Sequence, residues 1–194
     1  MRCDAAAMIH EAGTKPATAR SLPLRMPARI ALVGFLVCVL SGVGWWATHP
    51  EKLGPVGNEV GQNAMVGQAV LVGLFAHPGD GSVVLRDATA RVAPGSAPAK
   101  VRVLWCVEPD SGSPIGTALG PADEFCGDTP DLDGQRLEEP SVDNRFSHLV
   151  VEVVPLVPGE ITIEGAQVAY TAGLQRGSQS SGVVVKVKAT PADG

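Results

Sequence analysis

The chain has few charged residues and no window with a sustained 3.6-residue apolar repeat. Asp, Glu, Lys and Arg make up 18% of its 194 residues, whereas glycine occurs 23 times and proline 16 times. Without a helical repeat, a helical bundle is excluded as the main architecture. The many turn-forming residues favour short strands joined by turns, and the length allows one ordinary domain plus an anchor or tail.

Recognisable catalytic motifs are also missing. There is no G-x-S-x-G, H-E-x-x-H or S-x-x-K pattern and no glycine-rich phosphate loop after a strand. Three histidines follow residue 47: His49 adjoins the apolar run described below, His77 precedes a proline in a turn, and His148 begins an apolar strand. Such positions are more typical of structural or exposed histidines than of a general base. We therefore predict no enzymatic activity, no catalytic residue and no cofactor.

Cysteine is scarce, with four in the chain and no C-x-x-C pair. Cys106 ends a predicted strand and Cys126 lies in the long loop that follows, whereas Cys3 and Cys38 lie elsewhere. Because metal-ligand spacing is absent, we predict a disulfide between Cys106 and Cys126, which requires an oxidising compartment. Closing a loop of this size stabilises a fold by about 3 kcal/mol on the chain-entropy estimate.

An acidic stretch surrounds the second of these cysteines. Residues 108–143 contain ten acidic residues and one basic residue, and Asp131-Leu132-Asp133-Gly134 matches a fragment of an EF-hand calcium loop. The match fails at both ends, since Thr129 occupies the first ligand position and Pro140 that of the bidentate glutamate. We predict a solvated acidic loop without metal. With 18 acidic against 10 basic residues after residue 48, the domain is also unsuited to nucleic acid.

One long run, Ile30–Ala47, carries no charge and ends in a tryptophan pair. At 1.5 Å per residue it forms a helix of about 27 Å, close to the hydrocarbon thickness of a bilayer. Basic residues precede the run, whereas Lys52 is the one basic residue for some distance after it. We therefore predict a transmembrane signal anchor over residues 30–47, with a cytoplasmic N-terminus and an extracytoplasmic C-terminal domain at the plasma membrane.

Cleavage of the same run as a signal peptide is the alternative. Gly42, Val43 and Gly44 form a small-x-small pattern, and Met26 as the true start would leave a short basic segment before the apolar run. The mature protein would then be secreted. The anchor and the cleaved signal place the C-terminal domain in the same compartment.

Composition divides the rest of the chain. Residues 1–29 contain three prolines in their second half and no apolar periodicity, and are predicted to be a disordered cytoplasmic tail. Residues 48–62 are rich in proline and glycine and are predicted to be a linker. We predict an extracytoplasmic β-sandwich over residues 63–189 and a flexible C-terminus over residues 190–194.

The sandwich is predicted from short apolar patterns between glycine- and proline-containing turns. Alternation is clear in residues 100–105 and 183–188, as in sheets with one buried face. The predicted strands are Gln68–Phe75, Ser82–Arg86, Thr89–Val92, Lys100–Val107, Ser147–Leu156, Glu160–Tyr170 and Gly182–Lys188. Seven such strands are typical of an immunoglobulin-like sandwich. The immunoglobulin order of Cys, Trp and Cys is absent because Trp105 adjoins Cys106, so the likeness is architectural.

Taken together, these features predict a membrane-anchored extracytoplasmic interaction or scaffold module of the cell envelope. Its partners would be the membrane, through one helix, and an envelope or membrane protein. Abundant Ala, Gly, Val and Pro with scarce Lys are typical of a GC-rich bacterial genome. The alternative is a sensor or carrier domain that binds a metal or an envelope sugar, and the third hypothesis is a hydrolase whose site is assembled without a sequence motif.

Overall fold

The computed structural model describes residues 28–48, 51–76, 78–79, 81–109, 115–138 and 147–192. The described residues divide into two units between Val39 and Leu40. The predicted tail of residues 1–29 lies outside the described residues, apart from its last two positions. The last two residues of the predicted flexible C-terminus also lie outside them.

Helix α1 comprises Ala28–Thr48 and contains the whole of the predicted apolar helix of residues 30–47. No proline interrupts it, and it has no acidic residue in its first turn and no basic residue in its last. Its large apolar side chains from Leu32 to Trp46 are 42 to 70% exposed. Within the described part of the chain, no helix has both the length and the hydropathy that crossing a membrane requires.

The described strands form two sheets that pack as a sandwich, so the prediction of an all-β domain is confirmed at this level. The strands are β1 Val56–Met65, β2 Val70–Gly73, β3 Ser82–Val92, β4 Ala99–Val107, β5 Thr117–Leu119, β6 Arg136–Glu138, β7 Ser147–Pro155, β8 Gly159–Ala172 and β9 Gln175–Thr190. Sheet I has the order β1-β9-β8-β3-β6 and sheet II the order β4-β7-β2-β5. β1 and β9 are parallel, and the other pairs are antiparallel.

The main core lies between the sheets, and alternation along the strands decides which side chains enter it. In β2, Val70 and Val72 belong to the main core, whereas Leu71 belongs to a second, smaller cluster. Successive side chains of a strand point to opposite faces, so the smaller cluster lies on the outer face of sheet II. A short helix, α2 (Ala122–Phe125), contributes to this outer cluster.

The predicted linker of residues 48–62 is wrong over its second half, because β1 begins at Val56. This segment has two glycines and no apolar alternation, so its sequence gives no strand signal. It is a strand because its backbone pairs with β9 along its length, with Val56 opposite Gly182 and Met65 opposite Thr190. The sandwich therefore begins earlier than the predicted residue 63.

Two other predicted boundaries also change. The strands predicted at Ser82–Arg86 and Thr89–Val92 form one strand, β3, whose register shifts between Leu85 and Asp87. The polar segment of residues 177–182, predicted to be a break, lies within β9. The short strands β5 and β6 and the helix α2 lie where a loop was predicted. The strands predicted at Lys100–Val107, Ser147–Leu156 and Glu160–Tyr170 agree with β4, β7 and β8 to within two residues.

Candidate interaction surface

Strand β4 forms a long edge of sheet II. It pairs with β7 on one side over nine residues without a register shift. Among the described strands, none pairs with it on the other side. The other edge strand of this sheet, β5, has three residues. In sheet I the edge strand β1 is interrupted by a register shift between Gly57 and Glu59. β4 is thus the long and regular edge of the described fold.

Hydrogen bonds at the end of β4 show which of its backbone groups face away from β7. Val107 donates its N–H to the carbonyl of Asp128 at 3.0 Å, and its own carbonyl accepts the N–H of Gly127 at 2.8 Å. Alternate residues of a strand present their backbone groups to the same edge. The residues that face the same way as Val107 are Ala99, Val101, Val103 and Trp105.

These outward groups form what we call the β4 edge, the backbone N–H and C=O groups of Ala99, Val101, Val103 and Trp105. No backbone hydrogen bond joins them to another residue in the part of the chain that the structure describes. An unpaired row of this kind is a template for an added strand.

Side chains give the β4 edge two different faces. Val101 and Val103 are half-buried and pack against the main core. Lys100 and Arg102 are exposed on the outer face of sheet II. A strand added here would meet apolar side chains on one face and, on the other, the cation of Lys100 and the Arg102–Glu152 ion pair.

Residues 115–126, the cover segment, comprise the edge strand β5 of sheet II and the helix α2, and their apolar side chains help to enclose the outer cluster. Ile115, Ala118 and Phe125 pack against buried Leu71 and Val150. Cys126, at the end of the cover segment, is bonded to Cys106 of β4, with a Cα–Cα distance of 5.3 Å. The predicted disulfide is therefore confirmed, and it ties the cover segment to the edge strand.

A buried carboxylate holds the middle of the cover segment. Glu152 of β7 accepts the N–H of Ala122 at 2.9 Å and the guanidinium Nε–H of Arg102 at 2.5 Å. The side chain of Glu152 is 5% exposed, whereas that of Arg102 is 61% exposed. Burial alone would raise the pKa of Glu152, but the hydrogen bonds from Arg102 and Ala122 outweigh it and lower the pKa.

A second buried carboxylate holds the start of the cover segment. Glu108 accepts the N–H of Ile115 at 2.8 Å. Its Oε1 lies 3.7 Å from Nδ1 of His148, and both side chains are buried. Burial raises the pKa of Glu108, and the Ile115 hydrogen bond only partly opposes this. The two carboxylates act as structural acceptors for backbone N–H groups.

Comparison with protein families, curated proteins and solved structures finds no match.

The acidic residues that suggested part of a calcium loop lie in a different environment. Asp133 pairs with Arg86 at 3.1 Å, and both side chains are more than half exposed. Among the described residues, no group of three or more His, Cys, Asp or Glu side chains could hold a metal ion. Asp110 and Ser111 lie outside the described residues, as does His77, whereas His148 is buried opposite Cys106 in the β4–β7 ladder.

The two buried carboxylates, Glu108 and Glu152, and the packing of the cover segment were not predicted from the sequence. The loop after Cys106 was predicted to be solvated, yet Glu108 and Ala122 are buried. One signal was present: Glu152 interrupts the run Leu149-Val150-Val151 and Val153-Val154. A carboxylate inside such a strand is rarely buried unless it is paired, so a cation or backbone donor could have been expected opposite it.

Proposed function

We propose that this protein is a membrane-anchored extracytoplasmic interaction or scaffold module of the bacterial cell envelope, acting by binding rather than by catalysis. In this proposal α1 is the anchor, and the N-terminus is cytoplasmic. The anchor is supported by the uncharged run of residues 30–47 and by the exposed apolar side chains of α1. The disulfide is consistent with an oxidising compartment.

The binding role is supported by one observation, the regular and unpaired β4 edge. Beside this edge lies the cover segment, which is fixed by Glu108, by Glu152 and by the disulfide. The partner would add an extended segment to sheet II, so that its backbone pairs with the outward groups of Val101 and Val103. Cross-strand pairs of opposite charge stabilise a sheet. An acidic side chain beside Lys100, alternating with apolar residues, would therefore suit the partner.

The same proposal gives the sandwich an immunoglobulin-like architecture without the immunoglobulin disulfide. Its support is two facing sheets and the buried Trp105 in the main core. In immunoglobulin domains the disulfide joins the two sheets. Here it joins β4 to the cover segment on the outer side of sheet II.

A proline in β4 tests the binding role. Val103→Pro removes one outward N–H and leaves the pairs of Arg102 and Leu104 with β7 intact, since proline is tolerated on an edge strand. Detergent-solubilised membranes from cells that make the tagged full chain would be purified and the co-purifying proteins identified by mass spectrometry. We expect a protein partner with the parent chain and its loss with Val103→Pro.

Val103→Thr is the matched control, because it keeps the N–H and the branched shape and should retain the partner. Circular dichroism checks that both variants are folded. A partner that binds the folded proline variant as well as the parent would contradict strand addition at β4. If no protein partner is found with the parent chain, the scaffold role is wrong, and the sensor or carrier hypothesis takes its place.

A further inference from the structure

The connection between α1 and the sandwich is clamped by polar residues of β9. Gln179 accepts the backbone N–H groups of Lys52 and Leu53, each at 3.1 Å, and its Nε2 donates to the Leu53 carbonyl. Ser181 donates its hydroxyl to the Gly54 carbonyl at 2.7 Å. The predicted linker is therefore fixed to the sandwich over residues 52–54, where sequence composition indicated a spacer.

The tip of the β8–β9 hairpin lies next to the end of α1. Ala172 pairs with Gln175, so Gly173 and Leu174 form a two-residue turn. Gly173 has φ of +59° and Leu174 does not have a positive φ, as in a type II′ turn with glycine in its first central position. The side chain of Gln175 donates to the carbonyl of Trp46 at 3.0 Å. It thereby satisfies one of the carbonyls that a helix leaves free in its last turn.

Leu174 is unusual because its side chain is 94% exposed, against 48% or less for every other exposed large apolar residue described between residues 51 and 192. Nothing in the turn requires leucine, since the second central position of a type II′ turn accepts polar residues. Trp45 and Trp46 are 66% and 59% exposed on the adjacent end of α1. Tryptophan is enriched where a membrane meets water.

A cationic groove adjoins the tip. It has a volume of about 460 Å³ and is lined by Arg86, Ala169, Tyr170, Thr171, Arg176 and Gly177. Arg176 is exposed and lies two residues from Leu174. Arg86 is paired with Asp133, so Arg176 is the groove's cation without an ion pair among the described residues. Its guanidinium suits a lipid phosphate.

We propose that the β8–β9 hairpin is a second membrane contact, with Leu174 inserted among the lipids beside α1 and Arg176 on a headgroup phosphate. This rests on the anchor in the proposed function and adds an orientation to it. The clamp at residues 52–54 holds the hairpin end of the sandwich beside the membrane. The β4 edge then stays at a fixed height above the surface, within reach of partners in the same membrane.

Depth-dependent fluorescence quenching tests this orientation. The full chain, with Cys3 and Cys38 replaced by serine, would be reconstituted into vesicles of phosphatidylethanolamine and phosphatidylglycerol. A polarity-sensitive fluorophore would be attached at Leu174→Cys or, as the matched control, at Leu156→Cys. Leu156 is also exposed but precedes the opposite end of β8, about 40 Å away along the strand. Cys106 and Cys126 stay bonded and do not react.

We expect a blue shift and strong quenching by nitroxide-labelled lipids at position 174, and neither at position 156. With the fluorophore at Thr171→Cys, opposite Arg176 in the β8–β9 ladder, Leu174→Ser should move the equilibrium between docked and undocked hairpin by about tenfold, as loss of a buried leucine does. Flotation of the vesicles distinguishes failure of the membrane anchor from failure of the hairpin contact. Protein that does not float overturns both the anchor and the hairpin contact. Protein that floats with an unquenched probe at position 174 overturns the hairpin contact alone.

Discussion

At the residue scale, three ties of different physical character hold the cover segment on sheet II. Glu108 and Glu152 each accept one of its backbone N–H groups, and the Cys106–Cys126 disulfide closes its end. A buried N–H that loses its acceptor costs about 1–3 kcal/mol. The carboxylates are therefore energetically comparable to the disulfide, although they are far apart in the sequence.

The disulfide should contribute substantially to stability. Replacing both Cys106 and Cys126 with serine should lower the free energy of unfolding by about 3 kcal/mol, because the unfolded chain regains the entropy of an open loop. Urea unfolding of the full chain in detergent, followed by circular dichroism, measures this. Cys38→Ser is the control and should leave the midpoint unchanged. Equal midpoints for the double variant and the control would contradict the prediction.

Glu152 should make stability depend on pH. Its pKa is lower in the folded chain than in the unfolded chain. Its contribution is therefore present above the ordinary carboxyl pKa of about 4.3 and is lost as the pH falls through the folded-state pKa. We expect Glu152→Gln to be less stable than the parent by about 1 kcal/mol at pH 7, because the charge-assisted hydrogen bonds are lost. The difference should shrink as the pH falls below about 4.3 towards the folded-state pKa.

Glu164→Gln is the control for this pH series. Glu164 pairs with Arg91 at 3.6 Å, and both side chains are about half exposed. Such exposed pairs contribute at most about 1 kcal/mol, so this variant should remain close to the parent at every pH. A Glu152→Gln difference that stays constant from pH 7 to the acid end of the series would show that the lowered pKa of Glu152 does not stabilise the fold.

At the element scale, the packing of the cover segment depends on a close backbone approach at Gly73 of β2. Gly73 donates its N–H to the carbonyl of Gly116 at 3.0 Å. A Cβ atom at this position would clash with the carbonyl oxygen of Ile115. The start of the cover segment can therefore approach β2 only because residue 73 has no side chain.

Gly73→Ala should displace the cover segment and lower the free energy of unfolding by about 1–3 kcal/mol, the usual cost of overpacking. Gly61→Ala is a matched strand variant, because a Cβ there meets no atom within 4 Å and the residue has no positive φ. Thermal unfolding of both variants measures the difference. If Gly73→Ala were as stable as Gly61→Ala, the cover segment would not be tightly packed.

The elements that could be predicted from the sequence are those in which one face is apolar. β4, β7 and β8 alternate or are apolar throughout, and their predicted bounds hold to within two residues. β1 and the first half of β9 could not be predicted, because glycine, serine and glutamine give no periodic signal. Their pairing is set by neighbouring strands, and Gln179 and Ser181 contribute polar side chains that clamp the connection from α1.

At the scale of the whole molecule, the disulfide could be predicted because the other two cysteines lie far away in the sequence. The β4 edge could not be predicted, because the sequence indicates that β4 is a strand but does not indicate which strands lie beside it. The ties at Glu108 and Glu152 also depend on the register that brings residues 115 and 122 over sheet II. Tertiary pairing, which local pattern does not encode, decides these features.

The proposed function predicts the orientation of the chain in the membrane. Basic residues precede the apolar run of residues 30–47, and this asymmetry favours a cytoplasmic N-terminus. A periplasmic-type reporter fused after Gly194 should be active, and a cytoplasmic-type reporter fused at the same place should be inactive. The opposite pattern would contradict the orientation. Sequencing of the mature N-terminus separates retention of the run from cleavage, which would give Trp45 as the first residue.

Photo-crosslinking from the β4 edge in intact membranes asks whether an envelope partner binds this edge. A photoreactive lysine analogue that keeps the ammonium group would replace Lys100, which is exposed beside the outward groups of β4. The same residue at Lys188, exposed on β9 of sheet I, is the control. We predict a discrete adduct with one envelope or membrane protein from position 100 and none from position 188. No adduct from position 100, or equal adducts from both positions, would contradict it.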